Sequence, residues 1–255
     1  MTTDFDFWEG YHEPRSVSLP LVNNDLLLAV IWSVYLSFVG YFGPKLMERL
    51  PAADLRPLML ISDGFSFGST GAAVLIFGYL LYFAVETFQK CELNYHPLID
   101  EANLLIAYAF FLFRHYEMVI PLIMIARKKF DQEPLKVAIQ NCFATVILVI
   151  GIRHYTRDVV VLFPILDGLK LFLRSGYFAL RAPGSAFDRL AWVKTPIIIA
   201  NLLFHFIALV QYLIINLRGC KHPRAVVGFI AIYTILEAFF AIEKLVRTLR
   251  KKKQE

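Results

Sequence analysis

Arg114, His115 and Glu117 interrupt an otherwise apolar segment over residues 104–126. A charge at the centre of a membrane-spanning helix costs about 3 kcal/mol on insertion scales, so such residues mark a place where the charge is used. Arg114 and Glu117 are three apart, on one helical face, and that spacing allows them to pair. Two uses are open. One is an internal ion pair that holds helices together; the other is a contact to a lipid headgroup, since the planar guanidinium fork suits phosphate. Intramembrane charges pair with one another so commonly that the first is the stronger reading.

Further on, Asp167, Lys170 and Arg174 recur at helical i, i+3 and i+7 and can face the same interior, where a structural network is again favoured over catalysis. His205 follows Asn201 by four residues on one face, and an isolated imidazole among phenylalanines more often satisfies a hydrogen bond than acts as a base. Cys142 is a nucleophile only if a neighbouring base makes its thiolate. The cysteines at 91, 142 and 220 form no spaced pair, which argues against a disulfide framework or a zinc site. The six histidines, at 12, 96, 115, 154, 205 and 222, show no HxxH or HxxxH spacing, so no metal is expected.

These residues have to be carried by membrane helices. The chain is 58% apolar and 15% aromatic, with a mean hydropathy of +0.57, and apolar runs of about 20 residues, the length that crosses a bilayer, recur along it. Spans are expected at about 25–41, 58–83, 104–126, 137–152, 159–180, 196–217 and 225–246, with residues 87–100 a polar loop and 181–194, containing Ala182-Pro183-Gly184-Ser185, another. The fourth span is short enough to be broken or tilted. The small residues from Gly64 to Gly71 suit close helix contact. Residues 1–20 lack the basic and apolar regions of a signal peptide, so the first span is expected to insert the chain.

Lysine and arginine are denser on the connections that face the cytoplasm if the N-terminus is lumenal, which favours N-out, C-in and an odd number of spans. The same placement at membrane flanks argues against nucleic acid as a partner. Lys252 and Lys253, near the C-terminus, match a dilysine retrieval pattern for the endoplasmic reticulum; a plain basic cap on the last helix explains them equally well.

The segment Gly43-Pro44-Lys45-Leu46-Met47, followed by Pro51 and Leu55-Arg56, resembles the GPKxM…P…LR connection of the ELO family of very-long-chain fatty-acid elongases. Glu13-Pro14-Arg15, Leu19-Pro20-Leu21 and the Trp192/Lys194 entry to span six are similar to that family too. The resemblance implies a seven-span membrane enzyme that condenses acyl-CoA with malonyl-CoA. It places the family's KxxExxDT-like signature on Arg114, Glu117, Ile120 and Pro121, its HxxHH box on Val137, Gln140 and Asn141, and its NxxxH…MYxYY pattern on Asp167, Leu171 and Tyr177-Phe178. Asp63 stands where elongases carry asparagine, and Asn201 is nearest to their glutamines. Four histidine positions, at Val137, Gln140, Asn141 and Leu171, thus hold side chains that cannot accept an acyl group or a proton near neutral pH.

The expected fold is therefore an all-α, seven-span helical bundle. Residues 1–24 form a lumenal tail, 25–246 the elongase-like membrane domain and 247–255 a basic cytoplasmic tail. The expected function is non-catalytic: a membrane scaffold in a larger assembly. It has no cofactor beyond a held acyl chain or phospholipid, with Arg114, Glu117, Lys170, Arg174, Asn201 and His205 as acyl-CoA or lipid contacts. The partners are membrane lipids and other membrane-protein subunits, contacted through residues 1–20 and the face around Gly68. Two alternatives stay open, a divergent 3-ketoacyl-CoA synthase working through Cys142 or His205, and a lipid-binding regulator. The expected compartment is the endoplasmic reticulum membrane, or else the mitochondrial inner membrane as a complex subunit.

Overall fold

Prolines and caps set where the helices begin. A computed structural model describes residues 16, 18–90, 97–130, 133–153, 159–181, 193–217 and 224–252, and among these there are helices and no strand. The side chain of Asn24 accepts the Leu27 N–H at 2.9 Å and opens α1 (Asp25–Ser37), with Asp25 in the first turn where the helix dipole favours an acid. Pro97 and Pro134 stand at the first positions of α4 (Pro97–Glu117) and α6 (Pro134–Arg153), where a missing N–H costs nothing. The remaining helices are α2 (Gly43–Arg49), α3 (Arg56–Lys90), α5 (Val119–Ala126), α7 (Val159–Arg181), α8 (Lys194–Leu217) and α9 (Arg224–Lys252).

Four helical stretches are long and apolar enough to cross a membrane: Asp25–Arg49, Arg56–Ile76, Leu104–Ala126 and Pro134–Arg153. Leu26, Val34, Leu75, Phe206 and Phe239 point outward, while Arg114, Glu117, Asp167 and Glu237 are buried. Apolar surface outside and paired charge inside is the distribution that a lipid solvent demands.

Several boundaries differ from the sequence reading. The Gly43-Pro44-Lys45 segment is not a loop: α1 runs through a π-helical turn (Phe38–Phe42) into α2, and the connection shrinks to residues 50–55. The wide turn lets the Gly43 N–H reach the Phe38 carbonyl just before Pro44, which has no N–H to give. A Cβ at Gly43 would lie 2.9 Å from that carbonyl oxygen and 3.2 Å from Ile125, so only glycine fits there. Residues 87–90 and 97–100 are helical rather than loop, residues 91–96 lying outside the described set. The break falls in the third span, at Met118 between α4 and α5, and not in the fourth, because Pro121 cannot donate to the Glu117 carbonyl four residues back. Helix α9 continues through the basic tail to Lys252; Lys253 is outside the described residues, as are residues 1–15 and 182–192.

The basic turn after α5 is a Schellman motif. Lys128 N–H bonds the Ile125 carbonyl at 2.9 Å and Lys129 N–H bonds Met124 at 2.8 Å, with Lys128 at φ 56°. Arg127, Lys128 and Lys129 therefore sit at the negative end of a helix dipole.

Two apolar clusters hold the helices. The larger joins α1, α4, α6, α7 and α9 through Leu28, Phe111, Leu148, Leu171 and Ile230; the smaller joins the π-turn, α2, α5 and α6 through Val39, Met47, Ile125 and Ala138. Helices α3 and α7 approach closely on small residues. A Cβ at Gly71 would meet Phe172 at 3.1 Å, one at Gly168 would meet Val74 at 3.1 Å, and Phe67 stacks on Phe172 with centroids 4.4 Å apart.

Candidate functional site

The buried polar residues of α4, α6, α7, α8 and α9 meet along one line. Arg114, 1% exposed, forms an ion pair with Asp167 of α7, and its Nη1 donates to Asn141 Oδ1 of α6 at 3.2 Å. Lys170 lies one turn on from Asp167, with Nζ 3.4 Å from Asp167 Oδ1 and 2.8 Å from Glu237 Oε1 of α9. Tyr233 closes this part: its hydroxyl accepts from Lys170 at 3.0 Å and donates to Asp167 Oδ1 at 3.3 Å. Two cations thus face two carboxylates, so the charges balance where a lone one would be prohibitive.

At the far end His205 Nδ1 bonds the Asn201 carbonyl at 2.6 Å, and Nε2 lies 3.9 Å from Glu237 Oε2. Among the described residues Glu237 Oε2 and Asn201 Oδ1 have no hydrogen-bond partner, nor has Arg114 Nε at the other end, so this end is the least saturated part of the line. A carboxylate facing an imidazole is an arrangement that can pass a proton.

The predicted Arg114–Glu117 pair is not what forms. Arg114 turns to Asp167, and Glu117 accepts a hydrogen bond from Ser66 of α3. The i, i+3 spacing permits pairing, but Glu117 is the last residue of α4 and its side chain meets α3 instead. Ser62 extends that contact by accepting from Tyr116 at 3.0 Å.

Asn141 has a second bond with a clear origin. Its Nδ2 donates to the Glu117 carbonyl at 3.1 Å, the acceptor that Pro121 leaves open. Pro121 and Asn141 thus complement each other.

The other expected residues divide. Asp167, Lys170, Asn201 and His205 join the line, while Arg174 stays half-buried outside it, with no ion pair among the described residues. His115 turns to its own helix, Nδ1 to the Phe111 carbonyl at 3.0 Å, with no partner for Nε2 among the described residues. Val137 and Gln140 are half-buried on α6, and Leu171 is fully buried in the larger apolar cluster. Cys142 is a buried free thiol that hydrogen-bonds no histidine among the described residues. Of the small-residue stretch, Gly71 is used against α7, whereas a Cβ at Gly64 or Gly68 would meet nothing within 4 Å.

Tyr233 and Glu237 are the functional residues that sequence reasoning missed. The signal was present: they stand at i, i+4 on α9, one helical face of an apolar segment, and Glu237 is an acid within it.

The profile of the GNS1/SUR4 family, ELO, matches residues 20–255. No curated protein matches the chain.

Proposed function

Because the chain belongs to the ELO (GNS1/SUR4) family, we propose that it keeps the family's membrane scaffold without its condensation chemistry and serves as a subunit or adaptor of a larger membrane assembly. Helices α7, α8 and α9, of 23, 24 and 29 residues, complete seven spans in this reading. The N-terminus is lumenal, the C-terminus cytoplasmic and the compartment the endoplasmic reticulum, with Lys252 and Lys253 as the retrieval signal.

One observation carries the proposal. Asn141, aligned with the last histidine of the box, spends both ends of its amide on structure, one on Arg114 and one on the Glu117 carbonyl. Val137, Gln140 and Leu171 offer no base either, and Arg114 and Lys170 are turned to carboxylates rather than to a substrate phosphate. The outward Gly64 and Gly68, with the aromatic residues of segment 1–20, supply the surfaces for partner subunits.

The second reading is a divergent 3-ketoacyl-CoA synthase, favoured by His205 and Glu237 at 3.9 Å. A single assay separates the two. Incubating the reconstituted chain with long-chain acyl-CoA and labelled malonyl-CoA should yield no 3-ketoacyl product. Turnover above a heat-killed control that disappears in His205→Ala would replace the scaffold by the enzyme. Gentle extraction and crosslinking should recover discrete partners, and a monodisperse monomer would count against the assembly.

A further inference from the structure

Away from the polar line, a groove of about 460 Å³ lies between α1 and α6. Asp25 is the first residue of α1 and Arg153 the last of α6, and the two are joined at 2.6 Å, so both helices end at one level. Below that level the walls are Leu28, Trp32, Val146 and Val149. Seven residues, roughly 10 Å of helix, separate Asp25 from Trp32. The groove therefore has a charged mouth at the end of two membrane-crossing helices and an apolar floor.

Two side chains that line this groove carry a donor with no acceptor among the described residues. Arg153 gives Nε to the Val22 carbonyl at 2.5 Å and Nη1 to Asp25, but Nη2 is buried and has no partner among the described residues. The indole Nε1 of Trp32 is in the same condition. Buried N–H groups without acceptors are costly, and here both belong to side chains that line one groove with apolar walls.

We propose that this groove binds one zwitterionic phospholipid. A phosphate oxygen accepts from Arg153 Nη2, an ester carbonyl nearer the floor accepts from Trp32 Nε1, and the upper acyl chain lies along Val146 and Val149. The choice of headgroup follows from Asp25: its carboxylate is 80% exposed beside the guanidinium, so it repels a net anion and meets the ammonium end of a choline or ethanolamine. The site is separate from the Arg114–Asp167 line and does not depend on whether the chain catalyses anything.

Trp32 provides its own reporter once Trp8 and Trp192 are changed to phenylalanine in the full chain. In non-ionic micelles, phosphatidylcholine brominated on its acyl chains should quench Trp32 saturably, at one lipid per chain. Arg153→Gln should weaken binding about tenfold or more, in line with loss of a charge-assisted hydrogen bond. Val149→Phe, which fills the groove and spares the Asp25–Arg153 pair, should abolish saturable quenching even if the Arg153 variant fails to fold. Quenching that merely follows the lipid fraction, or that survives in folded Val149→Phe, overturns the site. Displacement by inorganic phosphate would make it a soluble-anion site instead, and stronger binding of phosphatidylglycerol would defeat the headgroup assignment.

Discussion

Helix α9 is tied to the rest of the bundle by charge at two depths. Inside, Glu237 holds Lys170 at 2.8 Å; nearer the C-terminal end of α9, Glu243 holds Lys136 at 2.5 Å and Arg247 holds Glu133 at 2.5 Å. The outer contacts are the shorter ones, yet their side chains are 29% to 57% exposed while Glu237 is 1% exposed. Distance alone would rank them wrongly. Coulomb attraction scales inversely with the local dielectric, so the inner pairs are far stronger once formed and far more damaging when half-removed. The hydrogen bond to Glu133 and its charge raise Arg247 above its ordinary value, which changes nothing, since a guanidinium is protonated at any working pH. The inner line fixes which helices meet, and the outer cluster trims an arrangement already made.

The largest effect should come from breaking the inner line on one side. Asp167→Leu leaves Arg114 and Lys170 facing a single carboxylate, a loss of about 3 to 5 kcal/mol for a buried pair. Thermal unfolding in nanodiscs and folding yield should both fall. Adding Arg114→Met should restore much of the loss, because two apolar side chains of similar volume need no partner. Glu117→Gln, which keeps an acceptor for Ser66, should be milder than Asp167→Leu; the reverse order would mean that Glu117 is the true counter-ion.

A smaller and sharper test concerns Asn141. Asn141→Ala strands the Glu117 carbonyl and one Arg114 donor, costing about 1 to 3 kcal/mol. Pro121→Ala returns an N–H to position 121, which can bond that carbonyl within the helix. In the double variant the loss at Asn141 should shrink by about 0.5 kcal/mol or more, the coupling expected of groups in one network. Strict additivity would mean that the proline and the asparagine are unrelated.

How much of this was legible depends on whether a feature is local. Helix starts at Pro134 and Val159 fall close to the sequence reading, because proline and hydrophobic length act within a few residues. The buried charges were also visible, as ionisable residues inside apolar runs. Their partners were not. Arg114 meets Asp167 fifty-three positions away, and that choice depends on the relative rotation and depth of α4 and α7, which no spacing within one helix encodes. The GPK segment misled for a related reason. Glycine and proline normally signal a turn, but here glycine is required by the approach of Ile125, and proline is tolerated because a π-turn precedes it. The break at Met118 was assigned to the wrong span, although Pro121 marked it.

The smallest expected effect sharpens the comparison from the outer side. Arg247→Ala removes a side chain that bonds both Glu133 and Glu243 at 2.5 Å, and Lys136 remains to hold those two carboxylates. A long exposed side chain loses rotamer freedom when it is held, and water replaces much of what the ion pair offers, so exposed pairs contribute little. The unfolding midpoint should move by no more than about 2 °C, the scale of a sub-kilocalorie change in a domain of this size. Whatever shift appears should vanish in about 1 M salt, where the screening length falls to roughly 3 Å. Asp167→Leu, in contrast, should be as damaging in high salt as in low, because ions cannot reach the inner line. If both variants respond to salt alike, water reaches both clusters, and the contrast between a dry core and a wet rim is wrong.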